Sequence, residues 1–124
     1  MARRRKASST RRSKSSRQLK AADLVLDPDE RCVIKNGVET HLTHKECALL
    51  WILMKNSGKV LTRKRLMKDV WETDYLGDTR TLDVHVCMVR RKIEDEPSKP
   101  VLLRTVRGVG YMFVVPRRRS RAAK

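Results

Sequence analysis

Arg107 sits where a short alternating stretch meets two glycines, in Arg104-Thr105-Val106-Arg107-Gly108-Val109-Gly110-Tyr111-Met112-Phe113. Leu102 to Val106 reads as a strand, Arg-Gly-Val-Gly as a turn, and Tyr111 to Val115 as the returning strand, so a β-hairpin is predicted. The two glycines admit the φ > 0 backbone that a tight turn needs, and Arg107 is left at the apex. A cationic hairpin tip preceded by an arginine-crowded helix is a shape able to clasp a nucleic-acid duplex.

The helix pattern runs from about Thr79 to Ile93. Leu82, Val86, Val89 and Ile93 are spaced +4, +3, +4 and form one apolar stripe. At 100° per residue the opposite face carries Arg80, Val84, Cys87 and Arg91, flanked by Thr81, Met88 and Arg90. Solvated helix faces usually carry Glu and Lys. Small apolar groups beside Arg suit contact with thymine methyls and guanine edges in a major groove; the plain alternative is a basic surface helix.

Several elements must position these residues. Leu24 and Leu26 share a face within an Asp23–Asp27 strand, and Asp27-Pro28-Asp29-Glu30 is turn material. Arg31 to Lys35 alternates, with Cys32 and Ile34 on one side. Asn36-Gly37 between alternating runs predicts a two-residue type I′ hairpin, continued by Val38, Thr40 and Leu42. Thr43 and Glu46 fit a capping box, opening a helix that is apolar nearly all round from Cys47 to Met54 and ends at Asn56-Ser57-Gly58. Thr62 starts a second helix with Leu66, Met67, Val70 and Trp71 on one stripe and Arg63, Lys64, Arg65 and Lys68 as its polar residues. Glu72 to Asp78 is an acidic loop, and Asp95 to Pro100 is a second loop. Tyr111, Phe113 and Val115 put one strand face over the helices, and Pro116 closes the fold.

The charge is unevenly spread. Of thirty cations, nine lie in residues 1–20 and five in residues 117–124, with no acid in either stretch. Residues 21–116 hold the other sixteen and all fourteen acids, a net of +2 within the chain's +16. Residues 1–21 and 117–124 are therefore predicted to be disordered basic tails around one domain, 22–116. They serve either as solubilising linkers or as arms that neutralise phosphates without reading sequence. Ser8, Ser9, Ser13, Ser15 and Ser16, set among the cations, are candidate phosphorylation sites or plain flexible filler.

Other classes find little support. No apolar run approaches the ~18 residues of a membrane span. Cys32, Cys47 and Cys87 show no paired spacing, which favours reduced thiols. His41, His44 and Cys47 are spaced by three, but a strand end between them separates their faces, so no metal or other cofactor is expected. There is no nucleophile–base pattern, and Gly108-x-Gly110 sits in a hairpin rather than opening a helix, so no enzyme is expected.

In order, these elements resemble the winged helix-turn-helix effector domain of the OmpR/PhoB family of bacterial response regulators, an α+β fold. The resemblance rests on Leu42-Thr43-x-x-Glu46, Leu61-Thr62-Arg63-x-x-Leu66 with Val70-Trp71, Arg80-Thr81-Leu82-Asp83-Val84-His85-Val86, and the hairpin motif, covering roughly Leu24 to Val115. It implies sequence-specific double-stranded DNA binding and transcriptional control in the cytoplasm, on the bacterial nucleoid. The third helix would enter the major groove and the hairpin, or wing, the adjacent minor groove.

By position, Arg80, Thr81 and Val84 would face bases or nearby phosphates, with His85, Arg90 and Arg91 flanking them. Trp71 would donate to a phosphate, and Thr105 and Arg107 would be wing contacts. Glu72, Asp74, Tyr75, Gly77 and Asp78 match a loop that touches RNA polymerase, and a second copy in tandem on DNA is implied. Cys87-Met88 departs from the family, which often carries polar or basic residues there, so readout leans on van der Waals contact. Residues 1–20 are too short and polar to fold into a receiver domain, so the expectation is either an excised effector half or a stand-alone binder, with the Met1 start favouring the latter. A nonspecific nucleoid- or RNA-associated structural protein, binding through its tails, is the alternative function.

Overall fold

The computed structural model describes residues 18–72 and 80–116; the tails and residues 73–79 lie outside the described set. The chain opens with four antiparallel strands in sequential order, β1 (Leu19–Ala21), β2 (Leu24–Asp27), β3 (Cys32–Lys35) and β4 (Val38–His41). β1 falls inside the segment read from sequence as tail. Leu19 and Ala21 pair opposite Leu26 and Leu24 and pack on the core, so the sheet starts three residues before the expected boundary.

Local chemistry shapes each turn. Asp27 is 2% exposed, and its Oδ1 accepts the backbone N–H of Asp29 at 3.0 Å and of Glu30 at 3.1 Å, an Asx turn. Asn36 and Gly37 have φ of 52° and 81°, and Lys35 pairs with Val38, which makes the expected type I′ hairpin. The core-facing residue of β3 is Val33, directly opposite Leu26. Cys32 and Ile34 share the other face, as alternation requires; Cys32 is still only 5% exposed there, opposite His41, and Ile34 is half-buried. Burial, and then the nearby Glu39 carboxylate, push the Cys32 thiol up to about 12, so it stays a protonated, inert thiol.

Helix α1 (His44–Lys55) begins with the expected capping box: Glu46 N–H donates to Thr43 Oγ1 at 3.3 Å and Thr43 N–H to Glu46 Oε1 at 2.9 Å. It ends at Asn56, followed by Gly58 at φ +84°. A two-residue strand, β5 (Leu61–Thr62), then leads into α2 (Arg63–Trp71), with Thr62 as N-cap accepting from Arg65 N–H. Helix α3 (Arg80–Ile93) buries Leu82, Val86, Val89 and Ile93, the stripe its spacing predicts. At ~1.5–3 kcal/mol per fully buried aliphatic side chain, this stripe is the main anchor of the helix.

The chain ends in a hairpin, β6 (Leu103–Val106) and β7 (Gly110–Phe113). β7 also pairs with β5, giving a three-stranded sheet ordered β5-β7-β6. That third strand was not expected from sequence. It changes the reading of one glycine: Gly108 has φ +76°, as a tight turn requires, but Gly110 does not lie in that region. Gly110 is instead required because a Cβ there would stand 2.0 Å from the Leu61 carbonyl oxygen.

One core joins these parts. Leu24, Leu26 and Val33 from the first sheet meet Leu49, Leu50 and Leu53 of α1, the α3 stripe, and Leu61, Leu103 and Phe113 of the second sheet. Among the described residues no helix is long and apolar enough to cross a membrane.

Candidate nucleic-acid interface

With its stripe buried, α3 turns Arg80, Val84, Cys87, Met88 and Arg91 outward, all of them exposed. Thr81, the remaining member of the predicted face apart from Arg90, is half-buried. Arg90, Arg91 and Lys92 fall in the last turn, where cations complement the helix dipole. Arg107 is exposed at the tip of the β6–β7 turn. The structure thus places a cation-flanked helix face and a cationic hairpin tip on neighbouring elements.

Not every predicted contact residue stands open. Arg90 turns toward the hairpin: its Nε donates to the Leu103 carbonyl at 3.0 Å and its guanidinium to Thr105 Oγ1 at 2.9 Å, while it lies 5.8 Å over the Tyr111 ring. Arg90 and the exposed Thr105 therefore bind each other and tie helix to wing. The His85 Nδ1 lies 2.8 Å from the Thr81 carbonyl, and the ring meets Trp71 edge-on at 5.0 Å. Trp71 is half-buried, with Lys45 Nζ 5.9 Å over its ring. Lys45 also donates to the Val70 carbonyl, fixing the end of α2 against α1. Of the acidic loop, Glu72 is exposed in a left-handed conformation (φ 57°); Asp74, Tyr75, Gly77 and Asp78 lie outside the described residues.

Three sets of long-range contacts that the sequence did not reveal hold the interface in shape. Arg63 at the start of α2 makes a two-pronged ion pair with Asp83, at 2.8 and 2.9 Å, and the Tyr111 hydroxyl donates to the same carboxylate at 2.5 Å. One carboxylate on α3 thereby links α2, α3 and the wing strand β7. A visible signal existed: Asp83 is the single acid between Arg80 and Ile93. Second, Lys92 donates to Glu46 Oε1 at 2.5 Å and to the His41 carbonyl at 3.0 Å, locking α3 against the N-terminus of α1. Third, the 8%-exposed Glu94 accepts the backbone N–H groups of Val101, Leu102 and Leu103. Its carboxylate sets where the hairpin begins.

The first two devices give the fold an acid dependence. Burial pushes the Glu46 carboxyl up, but the hydrogen bond from Lys92, the Thr43 N–H and the Lys92 charge outweigh it and hold it below its ordinary 4.5. For Asp83 the Arg63 hydrogen bonds dominate over burial, the Tyr111 hydroxyl adds to them, and the carboxyl stays below its ordinary 3.8. A carboxylate lowered in the folded state stabilises it fully above the ordinary value, and that contribution disappears as pH falls through the folded-state value. The thermal unfolding midpoint should therefore decline as pH drops below 4.5 and then 3.8. Glu46→Gln and Asp83→Asn should each flatten that decline. A midpoint profile unchanged by both substitutions would contradict the assignment.

Two helices packed beside an antiparallel hairpin, the second exposing an arginine-flanked face and tied to the hairpin through Arg90 and Asp83, define a winged helix. The chain belongs to the family described as "Transcriptional regulatory protein, C terminal", whose model matches residues 37–113, and its structural relatives are OmpR/PhoB-type DNA-binding domains. It is 52% identical over 93 residues to the sensory transduction protein RegX3 of Mycolicibacterium smegmatis, covering 75% of this chain and 41% of that protein. RegX3 of Mycobacterium leprae matches at 52% as well, with 47% of its length covered. The chain thus spans less than half the length of these relatives.

Among solved structures, the Klebsiella pneumoniae RstA DNA-binding domain in complex with the RstA box superposes with a TM-score of 0.72 at 30% identity, covering 79% of this chain and 97% of that one. The response regulator DrrB of Thermotoga maritima, an OmpR/PhoB homolog, gives 0.70 at 36% identity, covering 78% of this chain and 44% of that one. The family is one of DNA-binding transcription regulators, not enzymes.

Proposed function

We propose that this chain binds double-stranded DNA at specific sequences and controls transcription, with α3 in the major groove and the β6–β7 wing at the adjacent minor groove. The observation that carries this reading is the joint geometry of the exposed α3 face and the Arg107 tip. Asp83 ties both to α2 through Arg63 and Tyr111, which supports a pre-set spacing between two groove contacts. Arg80, Thr81, Val84, Cys87, Met88 and Arg91 meet bases and nearby phosphates, and Arg107 meets the minor groove. Trp71, His85, Arg90 and Thr105 border the surface, with Arg90 and Thr105 acting first on each other. The loop Glu72 to Asp78 offers acidic groups to RNA polymerase, a second copy binds in tandem, and the site of action is the nucleoid in the bacterial cytoplasm.

A second reading, nonspecific binding to nucleoid DNA or RNA, is favoured by one feature: fourteen of thirty cations lie in the two tails. The two separate experimentally. Duplexes selected from a random pool should converge on one site, and Arg107→Ala should weaken that site by roughly tenfold or more, as expected when one specific interaction is removed. Deleting residues 1–17 should weaken all sequences alike and flatten the salt dependence by about 0.9 for each phosphate no longer neutralised. A pool that never converges rejects the regulator reading.

A further inference from the structure

We infer that the exposed face of α3 selects its site by packing against thymine 5-methyl groups, through Val84, Cys87 and Met88. The inference rests on the duplex-binding reading above and names the base chemistry that reading would select. Val84 is 53% exposed and Met88 37%, two of the exposed large apolar side chains among the described residues; Cys87 beside them is exposed too. Positions 84, 87 and 88 are neighbours on one helix face. The core does not use them, since the buried stripe of α3 is complete with Leu82, Val86, Val89 and Ile93.

What surrounds these three side chains narrows the ligand. Arg80 stands one turn before the patch and Arg91 almost one turn after it, both exposed. Arg90, which could have reached a base, is directed to the Leu103 carbonyl and Thr105. His85 points at the Thr81 carbonyl and the Trp71 ring. Between the two flanking guanidiniums, Thr81 is half-buried, and the exposed side chains of the face present no amide, carboxylate or cation to a base edge, only methyls, a thioether and a thiol. The one apolar group on the major-groove edge of DNA is the thymine 5-methyl. At 1.5 Å per residue, Val84 to Met88 spans about 6 Å, close to two base-pair steps of about 3.4 Å. The expected site is a core of about two thymine-bearing pairs, with guanines or phosphates where Arg80 and Arg91 reach.

Deoxyuridine provides the test, because it removes the 5-methyl and keeps pairing and the O4 acceptor. With the full chain and a site selected from random duplexes, each core thymine is replaced in turn. Each replacement should weaken binding about fourfold, the value of one buried methyl, and the two together by more than tenfold. The penalty should shrink in a Val84→Ala, Met88→Ala double variant, which leaves only Cys87 of the patch; both substitutions are exposed and leave the core intact, and an unchanged thermal midpoint verifies that. A selected site that tolerates deoxyuridine throughout overturns the inference and leaves the duplex-specific reading standing. A penalty that persists undiminished in the double variant overturns it as well. Failure to select any site would instead reject the underlying reading.

Discussion

Gly110→Ala should cost the fold about 3 kcal/mol or more and detach the wing, a loss at the severe end for single substitutions. The added Cβ would sit 2.0 Å from the Leu61 carbonyl oxygen and 2.9 Å from both the Leu61 carbonyl carbon and Thr62 Cα. All three are backbone atoms, so no rotamer change relieves the clash. Relief requires opening the pairing of Thr62 with Gly110. Thr62 is also the N-cap of α2, and the Arg63 N–H donates to the Val109 carbonyl at 3.3 Å, so the strain reaches the helix start and the hairpin tip together. Gly108→Ala is the control: its Cβ meets nothing within 4 Å, and its cost is the left-handed φ of +76° alone, about 1–2 kcal/mol. Chemical denaturation of both variants checks the ranking; equal losses would mean that the close approach to Leu61 does not exist.

Glu94→Ala is expected to follow closely. The carboxylate accepts Val101 N–H at 2.9 Å, Leu102 N–H at 3.0 Å and Leu103 N–H at 2.8 Å. Val101 is exposed and can turn to water, but Leu102 and Leu103 are 5% and 0% exposed. Two buried donors without an acceptor cost about 1–3 kcal/mol each, so a loss of about 2–6 kcal/mol is expected, visible as a fall in thermal midpoint of roughly 10 °C or more. Glu94→Gln keeps an acceptor oxygen and should lose less. Because Val114 N–H donates to the Leu102 carbonyl at 2.7 Å, the disturbance reaches the base of the wing, and duplex binding should fall with stability. Alanine and glutamine variants that both match the wild-type midpoint would refute the role given to Glu94.

These residues show how much of the site was legible beforehand. The core stripe of α3, its exposed face, the Thr43–Glu46 box and the Asn36-Gly37 turn were all readable, because each depends on spacing within one element or on chemistry within a few residues. Arg107 at a hairpin tip was readable for the same reason. Which face of β3 meets the main core was not, since register in a sheet follows from the partner strand. Nor was the inward commitment of Arg90: its helical position puts it near the exposed face, and only the hairpin thirteen residues later supplies the acceptors that draw it away.

Glu46, Asp83 and Glu94 make the same point with charge. In sequence they are three acids among fourteen. Folding gives each a partner distant in the chain, Lys92 for Glu46, Arg63 and Tyr111 for Asp83, and a row of backbone donors for Glu94. By itself the sequence determined which faces are apolar and where helices start and stop, because periodicity and capping act over one or two turns. Only the tertiary structure decided which polar groups are spent on holding α3 and the wing together, and which remain for a ligand. Those choices depend on close approaches between elements far apart in the chain, such as Gly110 against Leu61, where a single atom decides whether the two strands can meet.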